Sequence, residues 1–320
     1  MSSSDPGPGA TRRPGPPRSA RIIRRRIDGV LLLDKPPGLS SNTACVRVKH
    51  RYRAESAGHT GTLDPFATGL LPIALGEATK FASGLLGADK TYEAHAKLGV
   101  RTDTGDLDGI TIATRPITHQ AADLTDAVAR LTGAIEQVPP MYSALKRDGR
   151  PLYEYARAGL VVERAPRPVF IHAFDLLSVT GEELRVRVRC SKGTYIRTLI
   201  DDLGEMLGCG AHLIALRRTA IGALAIGQAR PLAALDALDE TGLDALLQPS
   251  DSLLDAIQPV HLVDEAVRRL QLGQTVIVAN PVVNQPELLR AYGPAERFLG
   301  LVARLDDGRI KPERLLRTAT

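Results

Sequence analysis

Asp64 is the residue in this sequence best placed to do chemistry. It lies in the run Gly58 to Lys80, GHTGTLDPFATGLLPIALGEATK, where the next carboxylate is Glu77. A lone acid on a glycine-rich turn does little for a fold. It can present one carboxylate to a substrate and serve as a nucleophile. Pro65 disfavours the α conformation for Asp64 and so holds it extended. Gly58, Gly61 and Gly69 allow backbone angles and close approaches that a Cβ would resist. The bland alternative is a surface loop with a capping Asp, the default for an isolated Asp-Pro.

A carboxylate in an apolar site tends to take up a proton, because burial disfavours its charge. A cation should stand beside it to keep it ionised. Arg197 sits near the start of an amphipathic helix, off the apolar stripe. Asp201 and Asp202 follow four and five residues later, and spacing alone favours an ordinary ion pair with one of them. Tyr92 offers a flat ring for stacking and a hydroxyl for proton relay; it also reads as a core Tyr on the inward face of its strand. His59, five residues before Asp64, could act as a general base on chemical grounds. Lys35 could contact phosphate or support the turn that carries Asp64. Leu216, in an apolar stretch, reads as core.

The elements that must position these groups are legible in outline. Residues 27–41, IDGVLLLDKPPGLSS, read as a short buried strand and a Pro-Pro-Gly turn. A helix follows through Val48, capped by Ser41 or Asn42. Tyr92, Ala94, Ala96, Leu98 and Val100 alternate with Glu93, His95 and Lys97, the pattern of a half-buried strand. Residues 118–133 carry Leu124, Ala127, Val128 and Leu131 at helical spacing, stopped by Gly133. Leu184 to Cys190 alternates again, with Arg185, Arg187 and Arg189 on the outer face. That row could meet phosphates or simply be solvated. A helix runs from Tyr195 to about Leu207 on the stripe Ile196, Leu199, Ile200, Leu203, Met206. After a composition break at 248–259 come an amphipathic stretch (263–272), a short strand (276–279) and a further strand (298–305).

Several runs together resemble the TruB family of pseudouridine synthases. GTLDPFATGLL matches the family's run around its essential Asp. KPPGLSS, KLGVRTDTGDLDG (97–109), PPMYSALKRDGRPLYEYARAG (139–159) and the segment 190–222, which contains KGTYIRT, fit as well. The resemblance spans 28–222. It implies an α/β fold of the α+β type: a catalytic domain (27–250) on a mixed, largely antiparallel sheet, and a small β-rich PUA-like RNA-binding domain (258–320). It implies Asp64 as nucleophile, Arg197 as its partner and Tyr92 as the ring against the target base that serves in proton removal. Tyr195 and Leu216 would line the uracil pocket, and His59 would stack within the RNA loop. Lys35 completes this substrate-binding set, with loop support as its preferred role. The implied substrate is the T-arm of tRNA, at the T-loop uridine numbered 55.

The chemistry needs neither metal nor cofactor. The C1′–N1 bond breaks, the base turns while held, and C5 bonds to C1′ and loses its proton. Apolar walls must keep water from the intermediate, and the base must leave its stack. Asp64 could attack C6 or the sugar. Two other readings fit the same residues: a tRNA-folding chaperone, and a guide-dependent RNA pseudouridine synthase.

Charge is distributed unevenly. Residues 1–26 hold seven Arg against one acid, Asp5, while the rest hold 34 basic and 35 acidic groups. With five Pro and three Gly, this arm reads as disordered and cationic, a gatherer of polyanions or a solvated tail. Aromatics make up 4% with no Trp, which argues against extended stacking platforms for single strands. Cys45, Cys190 and Cys209 lack metal-ligand spacing and fit reduced thiols. No apolar run reaches membrane-spanning length. The expectation is a cytoplasmic monomer.

Overall fold

The computed structural model describes residues 23–278 and 288–317. β1 (Gly29–Lys35), α1 (Ser41–Arg51), β2 (Ala57–His59) and β3 (Thr68–Leu75) come first. A 3-10 segment, Gly76–Leu85, leads to β4 (Lys90–Leu98) and to the hairpin β5 (Val100–Thr102) and β6 (Thr111–Thr114). Then follow α2 (Ala121–Arg130), β7 (Gly133–Gln137), the short pair β8 (Lys146–Arg147) and β9 (Arg150–Pro151), and α3 (Leu152–Arg157). The long strands β10 (Arg167–Thr180) and β11 (Glu183–Cys190) precede α4 (Ile196–Met206) and β12 (Ala211–Ile221). β13 (Leu224–Ala225), β14 (Arg230–Pro231) and α5 (Glu240–Asp244) close this part.

These strands build one ten-stranded sheet in the order β14-β1-β3-β12-β4-β11-β10-β7, with β2 on β3 and β13 on β12. Only β1–β14 and β3–β12 pair in parallel. The apolar run of β1 has a simple cause: the strand is buried on both faces. Leu31 and Leu33 enter a core shared with α1, α2 and α4, while Val30 and Leu32 enter a second core with Leu70, Phe81 and Leu253.

A second sheet has the order β15-β17-β18-β19-β16, from β15 (Pro259–His261), β16 (Val276–Ile277), β17 (Leu288–Gly293), β18 (Arg297–Arg304) and β19 (Arg309–Leu315). With α6 (Asp264–Gln271) it encloses its own core around Val267, Leu270, Val302 and Ile310. It docks on the Gly76–Leu85 segment. Phe298 meets Phe81 edge-on at 5.2 Å between centroids. Lys80 Nζ donates to the Leu315 carbonyl at 2.9 Å, and Arg314 Nη1 donates to the Lys80 carbonyl at 2.6 Å. Leu301 joins the second core of the large domain.

Some expectations need correction. The cap of α1 is Ser40, extended in backbone, whose Oγ accepts from the Thr43 amide at 3.0 Å. Val100 does not continue β4, because Gly99 at φ +85° breaks the strand there. The arm is not free as far as residue 26: Arg25 Nη2 reaches Asp244 at 2.5 Å and its amide bonds the Arg53 carbonyl. Residues 1–22 and Ala279 lie outside the described residues. Among the described residues, no helix is long and apolar enough to cross a membrane.

Candidate active site

The turn between β2 and β3 carries Asp64, and it is tied down from two sides. From the end of β1, Lys35 Nζ donates to the carbonyls of Pro36, Leu39 and Pro65 at 2.9, 2.8 and 3.2 Å. Ser41 Oγ donates to the Leu63 carbonyl and accepts from the Leu63 amide, at 3.0 and 2.8 Å. From β12, Arg218 donates through Nε to the Leu70 carbonyl and through Nη2 to that of Gly61, both at 2.9 Å. Gly61 and Gly69 have positive φ, +76° and +103°. A Cβ at Gly69 would lie 2.3 Å from the Arg218 carbonyl oxygen, so the motif glycine and the strand arginine fit one another.

Arg197 enters from the first turn of α4. Its Nε lies 3.0 Å from Asp64 Oδ2, with the guanidinium side chain only 4% exposed. The Nε–H is not aligned for a hydrogen bond, so charge holds this pair together. Nη1 lies 3.4 Å from Asp106 Oδ2 and donates to the Thr104 carbonyl at 3.0 Å, and Nη2 donates to the Tyr142 carbonyl at 2.7 Å. The rival pairing does not form: Asp201 takes Arg101 in a fork at 2.6 and 2.8 Å. Burial pushes the Asp64 carboxyl above its ordinary value; Arg197 opposes the rise and Asp106 adds to it. The exposed part of Asp64 faces a cavity.

That cavity measures about 420 Å³, the scale of a small-ligand site, and its wall includes Asp64, Tyr92, Tyr195, Arg197, Leu216 and Arg218. Burial raises the phenol groups of Tyr92 and Tyr195 above their usual range. Gln137 brackets Tyr195, accepting from its amide at 3.0 Å and donating to its carbonyl at 3.3 Å. Asp64 thus shares the wall with the basic groups of Arg197, Arg218 and Lys90, and rings, aliphatic side chains and a few hydroxyls complete it. Such a space can hold a flat, uncharged base beside a fixed carboxylate.

Not every expected residue reaches this wall. Lys35 is fully buried and spends its donors on three carbonyls, so it supports the turn; burial lowers its ammonium to about 8. His59 sits on β2 opposite Ile73, and burial, then Arg218, hold its imidazole below the ordinary value. A less basic imidazole is a weaker proton acceptor, and His59 lies off the wall that carries Asp64. In the row on β11, Arg187 pairs with Glu93 at 3.0 Å and Arg189 with Asp89 at 3.2 Å.

Three residues escaped the sequence reading: Asp106, Lys90 and Arg218. Asp106 shares Arg197. Lys90 lines the cavity and ties down the preceding loop through the carbonyls of Leu86 and Ala88, at 3.1 and 2.6 Å. Arg218, 1% exposed, could have been found from strand alternation, since it shares a face with Leu216. Among the described residues no cluster of His, Cys, Asp or Glu is placed to hold a metal.

Solved structures share this architecture. An archaeal box H/ACA sRNP Nop10-Cbf5 complex aligns at TM-score 0.68 and 24% identity, over 90% of this chain and 85% of that one. A Cbf5-Nop10-Gar1 complex aligns at 0.67 and 26%, over 91% and 84%. Family profiles cover most of the chain. The TruB family pseudouridylate synthase N-terminal domain matches 49–196, the tRNA pseudouridylate synthase B C-terminal domain 197–255, and the pseudouridine synthase II TruB C-terminal module 259–316. Sheet, turn and cavity thus define a pseudouridine synthase, an isomerase. Curated relatives narrow this further. Aligned with a tRNA pseudouridine synthase B from Cupriavidus metallidurans, the chain is 55% identical over 307 residues, covering 94% of this chain and 98% of the relative. One from Aromatoleum aromaticum is 54% identical over 298 residues, covering 93% and 96%. The chain belongs to the TruB family.

Proposed function

We propose that this enzyme converts the T-loop uridine at position 55 of tRNA into pseudouridine, with Asp64 as the nucleophile. That the substrate is tRNA follows from the family and from relatives named tRNA pseudouridine synthase B; the T-loop position is the family's implied target. The flipped uridine enters the cavity with its ring between Tyr92 and the aliphatic wall at Leu216. Asp64 attacks C1′ of the sugar or C6 of the ring, the C1′–N1 bond breaks, and the uracil turns while Tyr195 and Leu216 exclude water. C5 then bonds to C1′, the bond to Asp64 breaks and returns its carboxylate, and Tyr92 takes the C5 proton. Arg197 keeps Asp64 ionised against burial.

The observation that carries this reading is the Asp64–Arg197 pair at 3.0 Å in the wall of a cavity that also presents the rings of Tyr92 and Tyr195 and the side chain of Leu216. The experiment is tritium release from a tRNA transcript carrying 5-³H-uridine, with the purified chain and no other RNA. The expected result is release approaching one per tRNA, abolished in Asp64→Asn, with the modified base mapping to the T-loop. Release from another loop overturns the position. Release that requires an added guide RNA favours the guide-dependent reading, which the fold likeness to H/ACA complexes keeps in view. On this reading the enzyme works in the cytoplasm as a single chain.

A further inference from the structure

Two buried arginines face the cavity, and their surroundings differ. Arg197 has two carboxylates within ion-pairing reach. Arg218 has none among the described residues; it donates to the carbonyls of Leu70, Gly61 and, at 3.5 Å, Thr62. A buried charge left to neutral dipoles is costly, and a guanidinium keeps its charge where an amine would lose it. An uncompensated positive charge therefore stands in the cavity wall. Arg218 is also the cross-strand partner of Tyr92 in the β4–β12 pair, and both side chains line the same cavity.

We propose that Arg218 is a positioning residue for the last chemical step, holding Tyr92 in place and stabilising its phenolate as the acceptor of the C5 proton. This rests on the reading of Tyr92 as the base. Once C5 has bonded to C1′, the C5–H bond breaks. Its electron pair re-forms the C5–C6 double bond, and the proton passes to the Tyr92 oxygen and from there to solvent. The charged and titratable groups facing Tyr92 are Arg218 on β12, Cys190 at the end of β11 and Asp64 on the turn; Lys90, Tyr195 and Arg197 lie around the same cavity. Burial, Cys190 and Asp64 all disfavour the phenolate, and Arg218 favours it. The same guanidinium fixes the backbone on either side of Asp64, so one side chain sets the spacing between nucleophile and base.

The test is single-turnover tritium release from 5-³H-uridine tRNA across neutral and alkaline pH. The wild-type rate rises with pH as Tyr92 ionises. Arg218→Gln and Arg218→Met, either of which suffices, slow release at neutral pH by roughly 100-fold or more, the scale of general base catalysis. They also move the rise to higher pH by about one unit or more, each unit being tenfold in proton affinity. Arg218→Lys places a buried ammonium there, which gives up its proton as pH rises, so in alkali it behaves as the uncharged variants do and moves the rise the same way. A rise unmoved in both uncharged variants overturns the proposal. If neither uncharged variant folds, Arg218→Lys decides: a rise that stays at the wild-type pH overturns it. Tyr92→Phe separates the two levels: a wild-type rise in that variant sinks the reading of Tyr92 as base, whatever Arg218 does.

Discussion

Asp106 lies 3.4 Å from the guanidinium of Arg197, the same group that stands 3.0 Å from Asp64. One cation thus serves two carboxylates, and only Asp64 faces the cavity. Asp106 is fixed by Thr104 Oγ1, which donates to it at 2.6 Å, and by the Asp108 amide at 3.1 Å. It orients Arg197 and at the same time raises Asp64.

Replacing Asp106 with Asn should separate those effects. Arg197 loses a partner that fixes it, so kcat falls, by roughly 10- to 100-fold if one oriented charge is misplaced. The acid limb of kcat/KM moves to lower pH, because a negative neighbour of Asp64 has gone. A pH–rate series on both proteins checks this. An unmoved limb would mean that Asp106 acts on Arg197 geometry alone.

The raised carboxyl of Asp64 has a consequence for stability, with burial as its main cause. Its folded value lies above its unfolded one. The stability tied to the protonated form is fully present below the ordinary value of 3.8 and is lost as pH rises through the folded value. Asp64→Asn mimics the protonated form. It should therefore raise Tm at neutral pH, leave it unchanged in acid, and abolish turnover. Calorimetry at both pH values tests the sign.

Phe298 should matter beyond its own module. Truncating it to Ala removes the edge contact with Phe81. We expect a loss of about 2 kcal/mol, below the figure for a wholly buried Phe because Phe298 is half-buried. Urea denaturation of the full chain measures it.

Deleting residues 1–22 removes Arg12, Arg13, Arg18 and Arg21 and leaves Arg25 on Asp244. The salt slope of tRNA binding should flatten by up to roughly 0.7–0.9 log unit for each phosphate that is no longer neutralised. An unchanged slope makes the segment a bystander.

Part of the site was legible in the sequence. Asp64 stands alone on its turn, a physical signal; spacing alone sends Arg197 to Asp201 or Asp202, and only the family resemblance pairs it with Asp64. Asp106 was not legible, because Asp103, Asp106 and Asp108 crowd one loop and only folding decides which meets Arg197. Arg217 and Arg218 are adjacent and look alike, yet the strand sends one out to Asp34 at 2.7 Å and the other into the cavity wall. Capping at Ser40 rather than Ser41 turned on one hydrogen bond. Docking of the second sheet was hidden, because Phe81, Lys80 and Leu315 meet only through tertiary packing.

Val30 and Leu32, in β1, share a core with Leu301. Synthesis runs from the N-terminus, so that face of β1 waits uncovered until Leu301 has left the ribosome, and pairings so far apart in sequence form slowly. The turn that carries Asp64 can be tied down once β12 has emerged, but the underside of β1 is sealed only after β18 follows.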